Sequence, residues 1–187
     1  MSQDRLALAS QRMAFATLWL VIAMLALNAA TWIFPRLGSI DGGYGLSFSL
    51  SDRLIVSTRM DPTGFPWWQT LGAVLLSSIP LVALTMGLLS LRTLFQGYAR
   101  RDYFSATSAI HLERMGRAVI AWVVLDFLCE PLLSVWITMR QQVGHRLVSL
   151  SFQTPEVVAI FVAACIVLIA RILRRAAKIN SENQQFI

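Results

Sequence analysis

The sequence predicts an all-α membrane protein with four transmembrane helices and with both termini in the cytoplasm. Hydrophobic residues make up 56% of the 187 residues and charged residues 14%, whereas soluble domains carry roughly 25% charged residues. Three apolar runs of about 20 residues are long enough to cross roughly 30 Å of hydrocarbon. The fourth is short up to Arg171 and becomes long enough if that side chain snorkels towards the interface. Basic residues gather at alternate ends of these runs, as in multi-pass membrane proteins.

The four helices are expected at about 13–33, 69–100, 118–139 and 155–179. The first apolar run is longer than the core of a signal peptide, which favours a retained helix. Pro80 falls inside the second run, where a membrane helix tolerates it because neighbouring groups satisfy the freed carbonyl. Thr154 as cap and Pro155 at the first helical position open the fourth helix.

The connections carry weaker patterns. Ser105 is a plausible cap for a cytoplasmic hinge helix at about 105–116. Strict alternation of apolar and polar residues predicts strands on the other side of the membrane, as a small β-hairpin or three-stranded sheet. These outer strands are expected at about 46–51, 54–58 and 147–152. An interfacial loop that dips its leucines into lipid is the alternative. The whole chain, 1–187, is expected to form a single membrane domain.

The basic residues set the orientation. Of the 16 lysines and arginines, eleven lie in the amino end, the hinge and the tail, and five lie in the other two connections. Because positive residues concentrate on the cytoplasmic side, both termini and the hinge are predicted to be cytoplasmic. The same distribution explains the net charge of +6 through contact with anionic headgroups of the lipid bilayer, so no direct nucleic-acid binding is expected.

Two acidic residues lie inside the third apolar run. Asp126 and Glu130 are four residues apart and therefore share a helix face. A charge at that depth costs at least about 2.5–3.5 kcal/mol on insertion scales. No lysine or arginine lies at matching depth, so hydroxyls and amides are the candidate partners. These are Asn28, Ser77, Ser78 and Thr85. The group is either a proton-linked or ligand-sensing site, or an interhelical hydrogen-bond cluster that fixes packing.

A second candidate surface lies on the hinge and the tail, where basic residues recur at helical spacing. One interpretation is anchoring to lipid headgroups. The other is a docking surface for a cytosolic partner, with Tyr98 adding apolar contact. The residues of this predicted docking or lipid-binding surface are Tyr98, Arg100, Arg101, Arg114, Arg117, Arg171, Arg174, Arg175 and Lys178.

Enzymatic chemistry is not expected. No phosphate-binding, zinc-protease or serine-hydrolase motif occurs in the sequence. Cys129 and Cys165 lie in apolar runs, as small buried hydrophobes do, and neither has metal-ligand spacing. His111 and His145 fall on opposite sides of the predicted membrane. No metal or cofactor is therefore predicted, and a homo-oligomer is left open.

Residues around the hinge resemble a known family. Leu94-Phe95, Tyr98-Ala99-Arg100, Phe104 and the segment 112–116 are similar to the signature of the bacterial membrane family called domain of unknown function 2975, as are 172–177 and Glu182-Asn183 in the tail. Family members usually have glycine where this chain has Arg101. The resemblance implies a small four-helix protein of the bacterial inner membrane, frequently encoded beside a short helix-turn-helix regulator. It supplies no catalytic residues.

Two functions follow as hypotheses. The first is a sensor or regulator that docks a cytosolic helix-turn-helix transcription factor through the hinge and tail. The second is a small proton-linked transporter or pore that uses Asp126 and Glu130. The two differ in whether these acids contact only protein groups or line a water-filled cavity.

Overall fold

The computed structural model describes residues 2–33, 65–100, 106–140 and 154–184. They form four long helices: α1 (Ser2–Ile33), α2 (Trp67–Ala99), α3 (Ala106–Thr138) and α4 (Thr154–Gln184). These ranges contain no strand. The predicted outer strands at 46–51, 54–58 and 147–152 lie outside the described residues.

Each helix contains a stretch that is long and apolar enough to cross a membrane. The stretches are Ala7–Ala30, Trp67–Ala99, Ala106–Thr138 and Thr154–Ile179. Most of their side chains are not buried by the protein itself, as expected where lipid covers the outer faces. For the residues that the structure describes, the prediction of four long apolar helices is therefore confirmed.

The hinge predicted at 105–116 is helical but is not a separate helix, because α3 runs without a break from Ala106 to Thr138. Gly116 does not end a helix but lets α4 approach closely. A Cβ atom on Gly116 would lie 2.7 Å from Val167 Cγ2 and 3.0 Å from the Ala163 carbonyl oxygen. The first and last helices are longer than predicted, since α1 begins at Ser2 and α4 reaches Gln184.

Contacts within the chain cluster into two compact units. The first unit comprises Met1–Val21, Ala83–Ala121 and Thr154–Ile187, and the second comprises Ile22–Val82 and Trp122–Gln153. Helices α1, α2 and α3 contribute residues to both units, whereas α4 belongs to the first. The single membrane domain over 1–187 stays a prediction.

Small residues bring the helices of the first unit together. Besides Gly116 on α3, Gly87 on α2 faces α3, where its Cβ would lie 2.7 Å from Ala118 Cβ. Thr93 Oγ1 and His111 Nδ1 are 3.0 Å apart and link the same two helices by a hydrogen bond. In a membrane, helices associate through close packing of this kind, because the surrounding lipid is as apolar as their side chains and the hydrophobic effect does not favour helix contact.

In the second unit, α2 and α3 are joined by reciprocal hydrogen bonds. Gln69 Nε2 donates to the carbonyl oxygens of Trp136 (3.2 Å) and Ile137 (3.0 Å). Trp136 Nε1 in turn donates to the Gln69 carbonyl oxygen at 3.0 Å. Carbonyls in the last turn of a helix lack partners within it, so the Gln69 side chain satisfies two groups at the end of α3. The indole of Trp136 also packs edge-on against Trp68, with ring centroids 6.0 Å apart.

Candidate functional site

Polar side chains recur at every fourth residue along one face of α3. They are Asp126, Glu130, Ser134 and Thr138, with exposed fractions of 5%, 6%, 1% and 1%. Residues four apart lie above one another on a helix, so these four form a continuous buried line within the second unit. We call it the α3 polar stripe. Asp126 and Glu130 were predicted from the sequence to share this face. Ser134 and Thr138 were not, although they continue the same four-residue spacing.

The hydroxyl groups of the stripe donate within their own helix. Ser134 Oγ donates to the Pro131 carbonyl oxygen at 2.9 Å, and Thr138 Oγ1 donates to the Ser134 carbonyl oxygen at 2.8 Å. This common arrangement for Ser and Thr in helices uses the hydroxyl proton. The oxygen lone pairs still act as acceptors. The stripe therefore combines two carboxyl groups with two hydroxyl acceptors in an apolar helix.

Three of the predicted partners of the acids also lie in the second unit. Asn28, on α1, donates from Nδ2 to Ser78 Oγ at 3.2 Å, and Ser78 Oγ donates to the Val74 carbonyl oxygen at 2.6 Å. Ser77 is buried and donates to the same carbonyl at 3.1 Å. The structure thus brings Asn28 and Ser78 together.

Thr85, the remaining predicted partner, belongs to the first unit. Its hydroxyl oxygen is buried and has no hydrogen-bond partner among the described residues. The described ranges contain no group of three or more His, Cys, Asp or Glu side chains suited to a metal ion. Cys129 and Cys165 are both free thiols.

The first unit contains an ionic cluster that sequence analysis missed. Glu113 on α3 is only 3% exposed; it accepts a hydrogen bond from Arg171 and forms ion pairs with three arginines. Arg117 Nη2 lies 2.9 Å from Oε1, Arg171 Nε lies 3.3 Å from Oε1, and Arg174 Nη1 lies 2.7 Å from Oε2. We call these four residues the Glu113 cluster. Arg117 shares α3 with Glu113, whereas Arg171 and Arg174 come from α4.

The burial of Glu113 explains why several cations surround it. A buried carboxylate loses its hydration, and the loss must be offset by close positive charge and hydrogen bonds. The arginine side chains remain 60%, 60% and 45% exposed, so their outer parts stay in contact with the surroundings. Three positive charges against one negative charge leave the cluster with a net charge of +2.

The Glu113 cluster contains only part of the predicted docking or lipid-binding surface. Of the arginines on that surface, Arg117, Arg171 and Arg174 form ion pairs with Glu113. The other described basic residues are exposed, and Tyr98 is half-buried. Those exposed residues are Arg100, Arg114, Arg175 and Lys178. Arg101 lies outside the described residues. The four-residue spacing of Glu113 and Arg117 was the available sign of this cluster, since it is typical of an ion pair on one helix.

Comparison with known proteins agrees with the helical architecture. The family described as Protein of unknown function (DUF2975) matches residues 9–187, nearly the whole chain. The chain belongs to this family. The resemblance inferred from the hinge and tail residues is therefore confirmed. No curated protein and no solved structure matches the chain.

Two neighbouring arginines of α4 test the Glu113 cluster. Arg174→Gln removes the 2.7 Å ion pair to Glu113 and is expected to lower the unfolding temperature in detergent, because a buried carboxylate loses compensation. Arg175→Gln removes the same charge from an exposed position and is expected to leave that temperature nearly unchanged. Equal unfolding temperatures for the two variants, measured by circular dichroism, would contradict the assigned role of the cluster.

Proposed function

We propose that the chain is a non-enzymatic, multi-pass protein of the bacterial inner membrane that acts as a sensor or regulator. In this proposal it docks a cytosolic helix-turn-helix regulator through the basic surface of α3 and α4. The supporting observation is that Arg114 and Arg175 are exposed beside a cluster that is already net positive. Excess positive charge on one surface suits a partner with an acidic face.

The length of α4 supports a surface that projects from the membrane. Its 31 residues span about 46 Å at 1.5 Å per residue, whereas the hydrocarbon layer is roughly 30 Å thick. If Thr154 marks one membrane surface, about ten residues extend beyond the other. This end carries exposed Arg175, Lys178 and Ile179, and an apolar side chain among cations is suited to a protein contact.

The distribution of basic residues supports the side of the membrane on which this surface lies. With eleven of 16 lysines and arginines in the amino end, the hinge and the tail, the positive-inside rule favours cytoplasmic termini. In that orientation Arg100, Arg114 and the end of α4 all face the cytosol. The family resemblance supplies the class of partner, since a short helix-turn-helix regulator is frequently encoded beside its members.

Co-elution tests the docking proposal. The purified chain in mild detergent is mixed with a short helix-turn-helix regulator of the kind encoded beside family members and analysed by size exclusion. The two proteins are expected to co-elute, and Arg114→Gln with Arg175→Gln is expected to weaken the complex about tenfold or more through lost charge complementarity. The control is Arg12→Gln with Arg140→Gln, which removes the same charge from exposed positions outside the proposed surface.

Two results together would contradict docking. One is that the native proteins elute separately. The other is that Arg100→Glu changes no transcript controlled by the regulator.

A second candidate function rests on the α3 polar stripe. Two carboxyl groups in line with two hydroxyl acceptors, buried within an apolar helix, suit a proton-linked transporter or pore. Intramembrane acids often mark proton or ion pathways. The same stripe would also serve a sensor, as the place where a proton or a small cation changes the packing of the second unit.

Proton flux separates a transporter from a docking protein. In liposomes, a transporter is expected to dissipate an imposed pH gradient, and Asp126→Asn with Glu130→Gln is expected to abolish that flux while circular dichroism stays unchanged. Glu156→Gln, which neutralises an acid at the start of α4, serves as the control and should retain the flux. The absence of flux from the native chain, or its persistence in the double variant, would exclude this function.

A further inference from the structure

The arginines of the Glu113 cluster retain donors that Glu113 does not use. Each contributes one nitrogen to the carboxylate: Nη2 of Arg117, Nε of Arg171 and Nη1 of Arg174. A guanidinium group carries five N–H donors on three nitrogens, so two further nitrogens of each side chain can bind elsewhere. With side-chain exposures of 60%, 60% and 45%, these donors are accessible from outside the protein.

The same three guanidinium groups are an unfavourable arrangement by themselves. Anchoring them on one carboxylate holds like charges close together, and one negative charge cannot neutralise three. A second anion beside Glu113 would reduce this repulsion. Phosphate is the anion that fits best, because the planar fork of arginine matches two phosphate oxygens at once.

The depth of the cluster indicates where that phosphate comes from. Arg171 lies 17 residues after Thr154 in α4, or about 26 Å along the helix axis. This is close to the far boundary of a hydrocarbon layer roughly 30 Å thick, where lipid headgroups begin. Leu168, one turn before Arg171, and Ile172, directly after it, are both exposed. Acyl chains therefore have an apolar surface directly beside the guanidinium groups.

From this geometry we infer that the Glu113 cluster is a binding site for an anionic phospholipid. The phosphate is bound by Arg117, Arg171 and Arg174, and the acyl chains lie along Leu168 and Ile172. Glu113 gathers the arginines from two helices into one place. The inference goes beyond the docking proposal, because it uses the arginines held on Glu113 and needs no cytosolic partner.

Lipid titration of the detergent-solubilised protein, followed by native mass spectrometry, tests this site. The probes are phosphatidylglycerol and phosphatidylcholine with identical acyl chains, and the first is expected to bind more tightly. Arg171→Gln with Arg174→Gln is expected to weaken phosphatidylglycerol binding about thirtyfold. The matched control is Arg114→Gln with Arg175→Gln, which removes the same charge from the same two helices and should retain nearly native affinity.

Two further variants keep the test valid if the arginine double variant folds poorly. Glu113→Gln removes the carboxylate that gathers the three guanidinium groups but leaves their charge, so phosphatidylglycerol binding should weaken less than in the arginine-to-glutamine double variant. Arg171→Lys with Arg174→Lys keeps the charge but loses the fork, and its affinity should lie between those of the native protein and the glutamine double variant.

Four results would overturn the inference. The first is equal weakening by the two arginine-to-glutamine double variants, which would indicate diffuse surface charge. The second is equal binding of phosphatidylglycerol and phosphatidylcholine. The third is displacement of the lipid by inorganic phosphate at comparable concentration, which would indicate a free-anion site. The fourth is a loss of binding in Glu113→Gln as large as in the arginine double variant, which would assign the arginines to helix contact alone.

Discussion

The central interaction of the first unit is the set of ion pairs between Glu113, which is buried between α3 and α4, and three arginines. Glu113 has lost almost all contact with solvent, and a charge so placed is tolerated only with close counter-charges. Two of those counter-charges, Arg171 and Arg174, come from α4. The ion pairs that compensate the charge of Glu113 therefore also join α4 to α3. Gly116, three residues along the same face of α3, allows the close approach of α4.

This interaction also determines which basic residues are available for other contacts. Arginines at helical spacing in a tail look equivalent in sequence, but Arg171 and Arg174 form ion pairs with Glu113, whereas Arg175 is not among the partners of Glu113. The two proposals use different members of the set for that reason. The arginines held on Glu113 form a compact group suited to one phosphate, and the exposed ones form a broader surface suited to a protein.

In the second unit, uncharged polar side chains lie on the apolar helices α2 and α3. Without water, each such group needs a partner within the protein. Ser77, Ser134 and Thr138 donate to carbonyls of their own helices, and Gln69 donates to the end of α3. The stripe with Asp126 and Glu130 therefore lies in a unit in which other polar side chains donate hydrogen bonds to backbone carbonyls.

Hydropathy and helical periodicity were sufficient to predict the four helices and the placement of Asp126 and Glu130 on one face. They failed where distant residues decide the outcome. Gly116 is compatible with a helix end by its local pattern, but it lies inside α3 and packs against Val167 and Ala163. The four-residue spacing of Glu113 and Arg117 predicts an ion pair on α3, but it gives no information about Arg171, which is 58 residues away from Glu113. Thr85 was grouped with the acids by depth alone, and depth does not specify which side of a helix a residue faces.

A double-mutant cycle between Glu113 and Arg174 tests the central interaction most directly. The free energy of unfolding in detergent is measured for the native chain, Glu113→Gln, Arg174→Gln and the double variant. Strong coupling is expected, with the double variant clearly more stable than the two single effects added together, because each single change leaves an uncompensated charge. Simple additivity, as expected for Glu113 and Arg175, would contradict it.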